Sequence, residues 1–132
     1  MTQGSTSSGR PEAREEALKR LYEADQRSAA PNSADLGRRA AEMVDGVWAE
    51  RAELDAAIGA ASRRWRVERM PPIDRNVIRI ALWELRNRSR TPVPVVISEA
   101  VRMAKAYSTE RSGVFVNGVL AKLASQLGEV SE

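Results

Sequence analysis

The stretch IDRNVIRIALWELR, residues 73–86, decides the fold class. Its apolar side chains, Ile73, Val77, Ile78, Ile80, Ala81, Leu82 and Leu85, fall almost all round a helical wheel, and a helix of that kind is the buried centre of a bundle rather than a surface helix. The polar exceptions are ordered. Arg75, Arg79 and Arg86 project within a narrow arc with Trp83 beside them, while Glu84 lies in an apolar arc with Val77 and Ile80. The arginine arc reads either as a solvated face or as a contact for RNA or a partner, and Trp83 reads as packing. A carboxylate among aliphatic side chains must be hydrogen-bonded, paired or exposed at an interface, so Glu84 has either an internal partner or a partner surface.

Upstream, Pro71–Pro72 stops helical structure, because the second proline pushes residue 71 out of the α region. Before it, Leu36, Ala40, Met43, Val44, Val47, Trp48, Leu54, Ile58, Ala61 and Trp65 recur at helical spacing, as one long helix or two consecutive ones. Ser33 is the expected N-cap of that series, after a loop at residues 28–33. The first helix is expected from Pro11 to about Arg27, with Arg10 and Arg14 on the line of Leu18 and Leu21, at the helix mouth. Downstream, residues 87–94 read as a loop, 95–107 as a helix, 108–113 as a polar break and 114–127 as a last helix with a broad apolar face. Gly118 inside that last helix is expected to mark a close approach of two helices, since an interior glycine otherwise costs about 1 kcal/mol against alanine. Asn117 reads as structural. No segment alternates with period two for long enough to be a strand. The expectation is an all-α bundle of about six to seven helices, with residues 1–9 as a flexible arm, 10–128 as one domain and 129–132 as a tail.

The composition narrows the chemistry. A chain of 132 residues, 42% apolar, can bury one sizeable core but hardly two. Without Cys there is no disulfide framework, and without His the commonest general base and metal ligand are missing. No catalysis, cofactor or metal is expected. A carboxylate pair such as Glu84 with Glu99 would need a shared pocket that nothing in the pattern supplies, and no Gly-rich phosphate loop occurs. Absence of an apolar leader or span and of Cys fits a cytoplasmic protein with no membrane attachment. The net charge is only +3, but residues 63–90 hold nine arginines against Glu68, Asp74 and Glu84, a local +6 that leaves −3 elsewhere.

Three blocks go further: PIDRNVIRIALWEL at 72–85, VVISEAVRMAKAYS at 95–108 and FVNGVLAKL at 115–123. In order and separation they resemble the signature blocks of the NusB family, and AREEALKRLYEAD at 13–25 is similar to that family's opening helix. The resemblance implies a helical RNA-binding fold that recognises boxA RNA of ribosomal RNA transcripts. It also implies pairing with the ribosomal protein NusE and entry into the RNA polymerase antitermination complex; a homodimer covering the RNA surface is a further implied state. It places Arg10, Arg14, Lys105, Tyr107 and Phe115 near RNA, and Tyr22 and Glu84 on the NusE side. Three positions depart from the pattern: Arg10 is followed by Pro11 and Glu12 rather than more arginine, Ser98 stands where Asn is usual, and Arg111 replaces a commonly acidic residue.

Cations for phosphates and aromatic faces for unstacked bases are what a single strand requires. The plainer readings are a solvated Arg10 and Arg14 and a core Phe115. Tyr22, Trp48 and Trp83 are each large enough to anchor a self-contact or a NusE contact. The other function classes are a protein-interaction bundle with weak or no RNA binding, and an accessory domain like that of some ribosomal RNA methyltransferases, for whose catalytic domain 132 residues leave no room.

Overall fold

The computed structural model describes residues 5–63, 65–87 and 90–131, with side chains described from residue 11 to residue 128 of these. Arg64, Arg88, the Arg10 side chain, residues 1–4 of the expected arm and Glu132 lie outside the described residues. The described chain is helical, in the order α1 (Ser5–Arg27), α2 (Arg38–Ala49), α3 (Arg51–Ala61), a 3-10 turn (Val67–Arg69), α4 (Pro72–Arg86), α5 (Val93–Tyr107) and α6 (Glu110–Ser131). The all-α expectation holds. α4 touches every other helix, and nine of its fifteen residues are buried, as a helix apolar all round requires.

Several boundaries differ from the pattern, each for a local reason. α1 begins at Ser5 and carries Pro11 inside it; its Ser/Gly-rich first turns have no apolar periodicity by which to be found. Ser33 does not cap α2, which starts at Arg38 after Gly37; its Oγ donates instead to Asp45 Oδ1 at 2.8 Å. The long apolar series is two helices. Glu50 breaks it at φ −100°, and Arg51 folds back over the Trp48 ring at 3.7 Å while donating to the Trp48 carbonyl. Trp65, expected to continue that series, lies beyond α3 and is 47% exposed. Pro71 has the extended ψ of 137° that Pro72 imposes. α5 starts two residues early because Pro94 falls in its first turn, where a missing N–H costs nothing. α6 starts four residues early because Thr109 Oγ1 accepts the Ser112 N–H at 3.0 Å, capping a helix inside the supposed polar break.

Two ion-pair clasps fix α4. In the first, Arg14 of α1 donates to both carboxylate oxygens of Glu84, from Nε at 2.9 Å and from Nη2, and both residues are at most 4% exposed. Glu99 of α5 stands 3.9 Å from Arg14 Nη1, and Arg102 joins Glu99 to Glu15 of α1. Of the two readings of Glu84, the structure supplies the internal partner; Arg14, expected near RNA, is buried and holds its guanidinium on that carboxylate rather than standing solvated at the helix mouth. In the second clasp Asp25 of α1 takes hydrogen bonds from Arg75 at 2.8 Å and Asn76 at 3.0 Å, and Arg79 binds Asp55 of α3 through two contacts of 2.7 Å. Arg75 and Arg79 are therefore not a solvated face but are held on carboxylates of α1 and α3; only Arg86 of the arc is exposed.

Glycine positions differ as well. A Cβ on Gly118 would meet nothing within 4 Å, so the expected close approach is not there. It is at Gly46 of α2, where a Cβ would lie 2.4 Å from the Trp83 indole. Bare backbone at residue 46 is what lets that ring lie between α2 and α4.

Candidate nucleic-acid interface

The turn between α5 and α6 gathers three of the expected residues. Lys105 is in the last turn of α5, half exposed, and its aliphatic stem lies across Gly113, where any Cβ would come within 2.8 Å of it. Its Nζ is 3.9 Å from Glu110 Oε1, a pair too exposed to neutralise it. Tyr107 closes α5 with 41% of its surface free. The next residues are held tightly: Ser108 and Thr109 both hydrogen-bond the buried Ser112 hydroxyl, at 2.9 and 3.2 Å. The turn that sets Tyr107 beside α6 is therefore fixed by a cap and a hydroxyl cluster rather than by core packing.

Phe115 is half-buried, packed on the core at one edge and lining a groove at the other. The groove encloses about 520 Å³. Thr109, Arg111, Val114 and Phe115 of the α6 side face Trp65 and Pro71 across it. Val114 is 75% exposed, and Arg111 is exposed with no ion pair among the described residues. The buried Asp74 lines the groove too, and its Oδ1 has no hydrogen-bond partner. As a first-turn residue of α4, Asp74 is favoured by the helix dipole, which offsets part of the cost of leaving that oxygen buried and unpartnered. A cation at the rim, Arg111, with aromatic and aliphatic faces on the walls, is the chemistry that suits an unpaired strand, which offers phosphates and unstacked rings.

Tyr22 is on α1, away from this turn in sequence and element, and 36% exposed. Trp48 and Trp83 are half-buried, the first under Arg51 and the second against Gly46, so of the three aromatic anchors Tyr22 has the most open face. Trp65, Arg111 and Asp74 were not read as site residues from the pattern. Trp65 carried a signal, a lone tryptophan set among arginines at 63, 64 and 66 just after an alanine-rich helix, but the apolar period through Ala61 masked it. Arg111 was visible only as a reversed charge, and nothing in the sequence tells a first-turn Asp74 with a partner from one without.

The family model for the NusB family matches residues 6–125. A Transcription antitermination protein NusB of Anaeromyxobacter dehalogenans is 42% identical over 134 aligned positions, covering 92% of this chain and 94% of the relative. Its namesake in Sorangium cellulosum is 52% identical over 89 residues, 67% of this chain and 64% of that protein. Among solved structures, NusB of T. maritima superposes with a TM-score of 0.76 at 30% identity, over 88% of this chain and 90% of that one. A chain from a complex of the antitermination factors NusB and NusE with dsRNA superposes at 0.75 and 28% identity, covering 89% and 96%.

Proposed function

The chain belongs to the NusB family, and from that premise we propose that it is a transcription antitermination factor that binds boxA RNA together with NusE and performs no chemistry of its own. The observation that carries the reading is the groove at the start of α6, where Arg111, Val114 and Phe115 face Trp65 and Pro71, with Lys105 and Tyr107 exposed at the neighbouring end of α5. Phosphates meet Lys105 and Arg111, and a base stacks on Tyr107 or on the Phe115–Trp65 walls. Support for an RNA-bearing assembly also comes from the structural neighbour solved with NusE and dsRNA.

Few cations line the groove, so the electrostatic part of binding is small and a second protein adds both surface and charge. In our reading Tyr22 supplies part of the NusE contact, and the pair of proteins joins the RNA polymerase complex in the cytoplasm. A homodimer is the RNA-free form, and its measure is the sedimentation of the chain with and without RNA. Among the described residues no helix is long and apolar enough to cross a membrane.

The test is titration of a boxA-like single strand with and without NusE at two salt concentrations, beside a scrambled strand of equal composition and a duplex of the same sequence. The expected result is tight, sequence-dependent binding of the single strand with NusE and weak binding without it. Replacing Lys105 and Arg111 by glutamine lowers the salt slope by about 1.4, at roughly 0.7 per phosphate contact. Equal binding of the boxA-like and scrambled strands, or of neither, overturns boxA recognition and leaves a protein-interaction bundle. Preference for the duplex would move the site off the groove, whose walls are built for unstacked bases.

A further inference from the structure

We propose that the RNA path continues from the groove at the start of α6 across Trp65 into a second, arginine-rimmed cleft between α3 and the Val67–Arg69 turn, which holds the phosphates of nucleotides flanking those in the groove. The inference rests on the groove reading above. Trp65 is the link: 47% exposed, it lines both the groove and the cleft, so the two surfaces are continuous.

The cleft encloses about 1080 Å³, and small residues of α3, Ala52, Ala56 and Gly59, keep one wall shallow. Its two inner carboxylates do not repel a polyanion, because Asp25 is paired with Arg75 and Asp55 with Arg79. At the rim Arg63, Arg66 and Arg69 are all exposed. Arg63 and Arg69 make no ion pair among the described residues, and Arg66 has only a 3.8 Å contact with Glu68 in which both side chains are over 70% exposed. Such a contact leaves the guanidinium available. The loop is also held in shape: Arg75 Nη1 donates to the carbonyls of Val67, Glu68 and Met70 at 3.2 to 3.3 Å while its Nε is anchored on Asp25. Cations along the rim, Arg69 among them on the turn that Arg75 holds, with one open aromatic face beside them, suit a strand that stacks a base and threads its phosphates past arginines. A protein partner would need apolar surface to bury, and the described rim supplies little besides Trp65.

The experiment uses the full chain with NusE and a boxA-like strand, either short or lengthened by roughly four nucleotides at one end or the other. Lengthening at one end should tighten binding by about tenfold, the stacking and phosphate contribution of added nucleotides. The triple variant Arg63→Gln, Arg66→Gln, Arg69→Gln should lose that gain and about 2 of the salt slope on the long strand, at roughly 0.7 per phosphate, with the short strand bound as by the parent. Trp65→Ala should weaken both strands. The inference is overturned if neither extension tightens binding or if the triple variant keeps the gain. It is equally overturned if that variant weakens NusE binding with the RNA gain intact, which would make the cleft a protein-docking face. Failure of the groove reading looks different: the unaltered complex does not bind the short strand, or binds it no better than a scrambled one, and the cleft proposal falls with it.

Discussion

Glu84 and Arg14 meet in a part of the bundle where α1, α4 and α5 converge, and each is there only because the other is. Truncating one leaves the other charged and buried, so Glu84→Ala should destabilise by about 3–5 kcal/mol in urea unfolding at neutral pH. Replacing both, as Arg14→Met with Glu84→Leu, should recover most of the loss, since apolar residues of similar volume often substitute for a buried pair. A double variant as unstable as the single one would mean that Glu99 and Arg102 depend on the pair as well. Tyr107 has the opposite character: it is open to solvent and ends its helix, so Tyr107→Ala should leave stability nearly unchanged. RNA affinity should fall by about 1–3 kcal/mol with the salt slope unaltered, because stacking releases no counterions. A change in slope would place Tyr107 on the phosphate path instead.

Helix junctions carry the next level of control. α2 and α4 meet through the Trp83 ring on the bare backbone of Gly46, so Gly46→Ala should cost about 1–3 kcal/mol by forcing that ring away. In α6, where a Cβ at residue 118 meets nothing, Gly118→Ala should add up to about 1 kcal/mol of stability through helix propensity. Thermal unfolding of the two variants side by side checks both; a destabilised Gly118→Ala would restore the close approach that the pattern suggested. The same junction logic holds at the α5–α6 turn, where the Thr109 cap sets the start of α6 and hence the positions of Arg111, Val114 and Phe115 around the groove.

For the molecule as a whole, the Asp25 clasp ties α1 to α4 and lies beside the Arg79–Asp55 pair that adds α3. Burial pushes the Asp25 carboxyl up, but hydrogen bonds from Arg75 and Asn76 and the charges of Arg75 and Arg79 outweigh it and hold the group below the usual carboxylate range. Its contribution to stability is therefore complete above about pH 4, the unfolded value, and is lost as pH falls below that through the depressed folded value. Asp25→Asn should lower stability at neutral pH and flatten the acid limb of the stability profile; an unchanged acid limb would show that Asp25 is not among the carboxylates whose protonation unfolds the protein. The legible part of this molecule was whatever local periodicity encodes. The all-round apolar pattern of residues 73–86 marks the central helix, Pro71–Pro72 its start, and the three sequence blocks the family, because burial of a helix is written in its own side chains. What only the tertiary structure decided is which distant groups meet. Arg14 and Glu84 are seventy positions apart, Asp25 and Arg75 fifty, and Gly46 lies under Trp83. Charge and size are properties of one residue, whereas pairing, exposure and a free acceptor such as Asp74 Oδ1 depend on what the fold sets opposite it.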